Sequence, residues 1–202
     1  MVWDVLAKKY DNLWVQKYSL APTRKAVLKN IGKLDNINKL LDIGCGTGQL
    51  LQEIYIKNKN IKLYGLDKSE QMIARAKDKN TGATLFCVDI SEDNIMETLG
   101  GGIDLVVCCH SFPYYKNKPE VINKIYNLLK ESGYVIFAQA SINSFYDKFA
   151  MSIVEKTAEK ADYLSRRDFI ALTEKKFEIK EEFQIHEKWF MPSICGFVLK
   201  KL

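Results

Sequence analysis

Histidine is nearly absent, with two residues in the chain, and the five cysteines form no C-x-x-C pair. Only His110 and His186 could join Cys45, Cys87, Cys108, Cys109 and Cys195, at spacings that match no zinc pattern, so no metal is expected. Four of the cysteines fall in or beside predicted strands, where buried thiols suit a reducing cytosol. No apolar run approaches the ~18 residues of a membrane span. The opening MVWDVLAKKYDN lacks the apolar core and small-residue cleavage site of a signal peptide, and a cytoplasmic location is expected. Charge of one sign is also missing as a block. The 30 basic residues are scattered among 25 acidic ones, leaving a net charge of +5, so nucleic acid is not the indicated partner.

What is present suits one globular domain, or one domain with a small cap. The 202 residues are 47% hydrophobic and 27% charged, enough for a substantial core under an ordinary solvated surface. The chain is organised around Leu40 to Leu50, LLDIGCGTGQL. Leu40, Leu41 and Ile43 are apolar, as a buried parallel strand requires. Gly44, Gly46 and Gly48 follow at every second residue, where the backbone can turn sharply and let a ligand approach. Leu50, Leu51, Ile54 and Tyr55 then recur at helical spacing. Strand, glycine turn and helix make a nucleotide site at the carboxyl end of a sheet.

The glycine spacing narrows the ligand. A dinucleotide fingerprint, G-x-G-x-x-G, would need glycine where Gln49 stands, and a P-loop would need a lysine after the glycines. The pattern here is D-x-G-x-G-x-G, with Asp42 where a phosphate binder avoids negative charge. An acid suits a ligand with an ammonium group. The stretch resembles motif I of the class I S-adenosylmethionine-dependent methyltransferases.

Elements that follow at set distances extend the resemblance over residues ~38–140. Ile61 to Leu66 reads as a second strand ending at Asp67, about 20 residues past the last glycine, where a ribose clamp is expected. A carboxylate can accept both ribose hydroxyl protons. The run LYGLDKSEQMIARAK resembles the family's next segment, with Ser69 capping a helix whose Met72, Ile73 and Ala76 face inward. ATLFCV, residues 83–88, is a third strand ending in Asp89-Ile90. In the family an acid here bonds the adenine amino group, and the next backbone N–H reads a ring nitrogen. N-x-L-L-K-x-x-G before the fifth strand is similar to the family as well. The resemblance implies an α/β, Rossmann-like, seven-stranded and mostly parallel sheet flanked by helices, with an antiparallel final strand and a small helical cap. It also implies a cofactor set of Tyr10, Asp42, Gly44, Cys45, Gly46, Gly48, Asp67, Lys68, Met72, Asp89, Ile90 and Cys109.

Other stretches leave alternatives open. Residues 1–18 are amphipathic and rich in aromatics, with Trp3, Tyr10 and Trp14 at spacings that place them on one helical face. They read equally as a lid over the ligand or as a packing helix, within a helical cap spanning 1–32. Tyr10-Asp11-x-Leu13-Trp14 resembles the Y-D-x-x openings of small-molecule methyltransferases. A helix starts near Pro22 and ends at Gly32. The fourth strand, Ile103 to Cys109, leads into His110, either a general base or a residue that only shapes the pocket. Phe112, Tyr114 and Tyr115 read as substrate-facing aromatics or as packing; Trp14, Tyr114 and Tyr115 are the expected acceptor contacts. Pro119 opens a helix through Lys130, residues 141–165 form a helical insertion, Ser165-x-x-Asp168 resembles a capping box, and Phe177–Glu187 and Ser193–Lys200 read as strands six and seven.

The expected function is methyl transfer from S-adenosylmethionine to a small-molecule acceptor by in-line displacement, giving S-adenosylhomocysteine, by a monomer or homodimer. Two other classes remain open: an RNA- or protein-directed methyltransferase, and a non-catalytic S-adenosylmethionine binder.

Overall fold

The computed structural model describes residues 2–79, 81–91, 95–142, 161–185 and 193–202. Seven strands are formed: β1 (Lys39–Ile43), β2 (Lys62–Asp67), β3 (Ala83–Cys87), β4 (Ile103–Cys109), β5 (Leu129–Ala140), β6 (Phe177–Ile185) and β7 (Ile194–Lys201). They lie in the order β3-β2-β1-β4-β5-β7-β6. β7 runs antiparallel to both of its neighbours, and the remaining pairs are parallel. The order reverses between β1 and β4, so a crevice opens at their carboxyl ends, where open α/β sheets bind ligands.

The central strands are apolar on both faces because both faces are covered. Leu40, Leu105, Val107 and Ile136 pack under α2 (Ala21–Ile31), α3 (Gln49–Lys57) and α4 (Glu70–Asp78). Leu41, Val106, Val135 and Phe137 pack under α5 (Ile95–Leu99), α6 (Lys118–Leu128) and α7 (Arg166–Thr173). The helix starts follow their capping residues. Ser69 Oγ accepts from the Met72 N–H, Asn117 Oδ1 from the Glu120 N–H, and Ser165 Oγ from the Asp168 N–H. Ser165 also donates to Asp168 Oδ2 at 2.7 Å. Pro22 and Pro119 sit in the first turns of α2 and α6.

Two elements differ from the sequence reading. The helix expected through Lys130 ends at Leu128, because Leu129 turns extended and pairs with Ile103. Ser132 at φ 60° and the close-packed Gly133 then form an irregularity before β5 resumes beside Leu105. The single helix expected over 1–18 is instead α1 (Val2–Leu6), a 3-10 turn (Tyr10–Asn12) and a π-turn (Gln16–Leu20). Residues 143–160 of the expected insertion, and 186–187 at the end of the expected sixth strand, lie outside the described residues. No helix among the described residues is long and apolar enough to cross a membrane.

Candidate functional site

The glycine turn between β1 and α3 takes up conformations that only glycine adopts easily. Gly44, Gly46 and Gly48 have φ of 72°, 53° and 74°. The N–H groups of Gly44 and Cys45 both donate to the Leu66 carbonyl, tying the turn to the end of β2. A Cβ on Gly44 would stand 2.3 Å from Ser111 Cβ. A Cβ on Gly46 would meet only Tyr10 Cε1, at 3.9 Å, so this face of the turn opens on a cleft. The cleft is lined by Trp3, Tyr10, Asp67, Asp89, His110 and Tyr114 and opens to solvent. A second hollow adjoins it, sharing Tyr10, Gly44, Gly46, Cys109 and His110.

Three carboxylates line these spaces, Asp67 and Asp89 in the main cleft and Asp42 in the second hollow, and burial shifts Asp67 and Asp42. Asp67, at the end of β2, accepts from the Gly46 N–H at 2.8 Å and the Ser69 N–H at 2.9 Å. Burial pushes its pKa up, and those two bonds pull against the shift. Asp42 is fully buried in β1 and borders the second hollow. Burial, and secondarily the nearby Asp67 charge, raises its pKa to about 7. The sign of the linkage is set by that rise. The native chain holds a proton on Asp42 that the unfolded chain, titrating near the ordinary aspartate value of 3.8, releases. Without ligand, stability therefore falls as pH rises from about 4 through about 7. Asp42→Asn should flatten most of that fall and leave the chain more stable than wild type above pH 7. Urea midpoints across the pH range check this, and an unchanged profile in the variant would refute it.

Past β4, the chain enters a 3-10 turn (Phe112–Tyr114) through His110, whose φ is 57°. Ser111 Oγ donates to the Ile43 carbonyl at 2.6 Å, closing this loop onto the glycine turn. Phe112 is fully buried and meets Phe137 and Phe169 edge to face, so it belongs to the core. Tyr114 and Tyr115 face the cleft. The loop is held from behind by Lys118, whose buried ammonium donates to the Tyr115 carbonyl at 3.1 Å and pairs with Asp162 at 2.9 Å. Trp3 stands edge to face with Tyr114, ring centroids 5.2 Å apart, and forms the opposite wall with Tyr10.

Most of the expected site residues converge. Tyr10, Gly44, Gly46, Asp67, Lys68, Met72, Asp89, Cys109, His110, Tyr114 and Tyr115 line the main cleft, and Asp42 and Cys45 line the adjoining hollow. Gly48 instead starts α3, and Ile90 is buried behind the cleft wall. Trp14 lines neither space. Leu13 takes an extended conformation, which breaks the expected helix and leaves Trp14 60% exposed. Burial pushes the thiols of Cys45 and Cys109 well up, so neither is a poised nucleophile. Among the described residues no group of three or more His, Cys, Asp or Glu is placed to hold a metal ion.

Several residues were missed by the sequence reading. Arg24, on α2, borders the second hollow while its guanidinium bonds Glu53 and Gln16. Thr23 contacts His110, and Ser111 closes the loop. No local sequence signal marks any of the three.

The donor set fits S-adenosylmethionine. A strand-end carboxylate suits a two-hydroxyl ribose, a second acid follows β3, and the fully buried Asp42 shares the second hollow with Arg24. Residues 41–135 match the family model described as a methyltransferase domain. The carboxy-S-adenosyl-L-methionine synthase of Nautilia profundicola is 31% identical over 118 residues, covering 57% of this chain and 49% of that protein. The chain spans about two fifths to two thirds of the length of the curated relatives it matches. Among solved structures, the putative methyltransferase of Haloferax volcanii, seen in complex with the Trm112 methyltransferase activator, superposes with a TM-score of 0.80 at 14% identity, covering 98% and 97% of the two chains. A possible histamine N-methyltransferase from Thermotoga maritima superposes with a TM-score of 0.77 at 17% identity, covering 100% and 99%. These structures share the fold, and the matched stretch of sequence is similar to S-adenosylmethionine-dependent methyltransferase domains of class I.

Proposed function

We propose that this chain transfers a methyl group from S-adenosylmethionine to a small-molecule acceptor. The observation that carries the reading is the convergence of Asp67 and the open face of Gly46 on one cleft walled by aromatic side chains, with the buried Asp42 on the hollow that adjoins it. When bound, S-adenosylmethionine supplies an activated methyl on a sulfonium. Asp67 accepts the ribose hydroxyls, Asp89 and the Ile90 N–H read the adenine edge, and Met72 packs beside the base. Asp42, once beside an ammonium group, gives up its proton, and Arg24 stands where a carboxylate of the same ligand can be met. Trp3, Tyr10, Tyr114 and Tyr115 exclude water and hold a flat or apolar acceptor. In-line alignment in such an enclosed site can contribute about 7–11 kcal/mol. His110 presents an imidazole that burial, and then the Arg24 charge, keeps neutral, its pKa lowered to about 4. At neutral pH it accepts a hydrogen bond from the acceptor. The thiols around the site suit a reducing compartment, in line with a cytoplasmic location.

The test begins with binding. Asp67→Ala should weaken S-adenosylhomocysteine binding by about 1.5–3 kcal/mol, the range for hydrogen bonds to charged groups. Calorimetric titration measures it, alongside a urea curve to show that the variant is folded. An unchanged dissociation constant in a folded variant would remove Asp67 from the site. An acceptor panel with labelled methyl donor then separates a methyltransferase from a non-catalytic binder.

A further inference from the structure

His110 Nε2 lies 2.9 Å from Thr23 Oγ1, a contact that bridges the end of β4 and the first turns of α2. Thr23 is fully buried, and its hydroxyl donates to the Ser19 carbonyl at 2.8 Å. A hydroxyl has one hydrogen, so that of Thr23 is committed to a carbonyl that cannot donate in return. The remaining role of Thr23 Oγ1 toward His110 is acceptor, which requires the proton on Nε2. A neutral imidazole carries one N–H, and Nδ1 is then the lone-pair nitrogen. Nδ1 has no hydrogen-bond partner among the described residues, yet it is not among the fully buried unsatisfied atoms, so it is reached from the cleft that the ring lines.

We infer that Thr23 is a positioning residue that fixes His110 as the Nε2–H tautomer, so that a lone pair on Nδ1 faces the methyl acceptor. The inference rests on the proposed methyl transfer only for the identity of the ligand in the cleft. Its consequence is a preference for acceptors that present an X–H hydrogen-bond donor, such as a hydroxyl, phenol or amine, over acceptors with a bare lone pair. The fold provides the means. Ser19 and Thr23 stand one helical turn apart, so a back-bond within the helix consumes the hydroxyl hydrogen. The positive φ of His110, together with its N–H bond to the Ala138 carbonyl, fixes the backbone from which the ring projects.

The experiment is nitrogen-15 NMR of the histidine-labelled full chain at neutral pH, in a His186→Gln background that leaves one imidazole. Wild-type Thr23 should give a protonated Nε2 and an unprotonated Nδ1, and saturating S-adenosylhomocysteine should move the Nδ1 resonance without protonating it. Thr23→Val keeps the shape but leaves Nε2–H buried and unpaired, so the proton should move to the cleft side. The tautomer ratio should fall at least about tenfold, the change that 1.4 kcal/mol produces. Thr23→Ser, which retains the hydroxyl, should restore the wild-type pattern. A protonated Nδ1 in the wild type, or the same tautomer in Thr23→Val as in Thr23→Ser, would overturn the inference. Failure of S-adenosylhomocysteine to bind while the tautomers behave as stated would count against the methyl-transfer reading and leave the role of Thr23 intact.

Discussion

Gly44→Ala should destabilise the chain by about 2–5 kcal/mol, the sum of a left-handed backbone penalty of about 1–2 and an overpacking cost of about 1–3. Both contributions are visible at this residue. Its φ of 72° lies where an L side chain is strained, and the new methyl would sit 2.3 Å from Ser111 Cβ and 2.7 Å from Ser111 Oγ. The neighbour cannot step aside cheaply. Ser111 Oγ donates to the Ile43 carbonyl, Cys108 Sγ lies 3.0 Å away, and Ser111 leads directly into the buried Phe112. Against a total stability of about 5–15 kcal/mol, such a loss is large. Gly46→Ala has the same backbone penalty but only an ordinary contact with Tyr10, so its urea midpoint should fall less. It should instead lose cofactor affinity, because its methyl would project into the cleft. Equal midpoints for the two variants would refute the steric argument for Gly44.

The sheet was legible because its signals are local. β1, β2 and β4 are short apolar runs, and each is followed by glycine, aspartate or histidine at the edge where a cleft must open. Asp67 and Asp89 could be placed from the spacing of strands and from family resemblance. Contacts made across the cleft were not legible. His110 and Thr23 are 87 residues apart, and Arg24 reaches the glycine turn from a helix whose local pattern announces only an amphipathic face. Lys118 reads as a solvated charge beside a proline, yet its ammonium is buried under Tyr115. Trp14 shows the opposite failure. The aromatic spacing of residues 1–18 describes a continuous helix, and one extended residue, Leu13, cancels the phase relation between Trp14 and Trp3. Of Phe112, Tyr114 and Tyr115, only the first lacks a polar tip and is fully buried, a distinction that depends on where Phe137 and Phe169 meet it.

Removing residues 1–18 should leave the domain folded, abolish methyl transfer and weaken S-adenosylhomocysteine binding at least about tenfold, a change of 1.4 kcal/mol. Folding should survive because, among the described residues, the two apolar cores draw on α2, the sheet and later elements and on none of this segment. Function should not, because Trp3 and Tyr10 make one wall of the cleft. The segment is attached by polar contacts at the rim of the site. Ser69 Oγ donates to Asp4 Oδ1 at 2.6 Å, Thr47 Oγ1 donates to Asp11 Oδ1 at 2.6 Å, and Asp11 also pairs with Lys79. Ser69 follows Asp67, the proposed ribose clamp, by two residues and Thr47 belongs to the glycine turn, so the same two loops that would hold the cofactor also hold the segment. Each of these polar contacts is worth about 0.5–1.5 kcal/mol and none of the segment belongs to the two apolar clusters described, so it opens at a lower cost than the sheet. A ligand that orders the glycine turn and the β2 end should therefore also order residues 2–12. Hydrogen exchange in that segment should slow when S-adenosylhomocysteine is added, and Asp4→Ala with Asp11→Ala should remove the slowing while leaving exchange in β1 and β4 unchanged. Equal protection with and without ligand would identify a fixed packing element and end the lid reading.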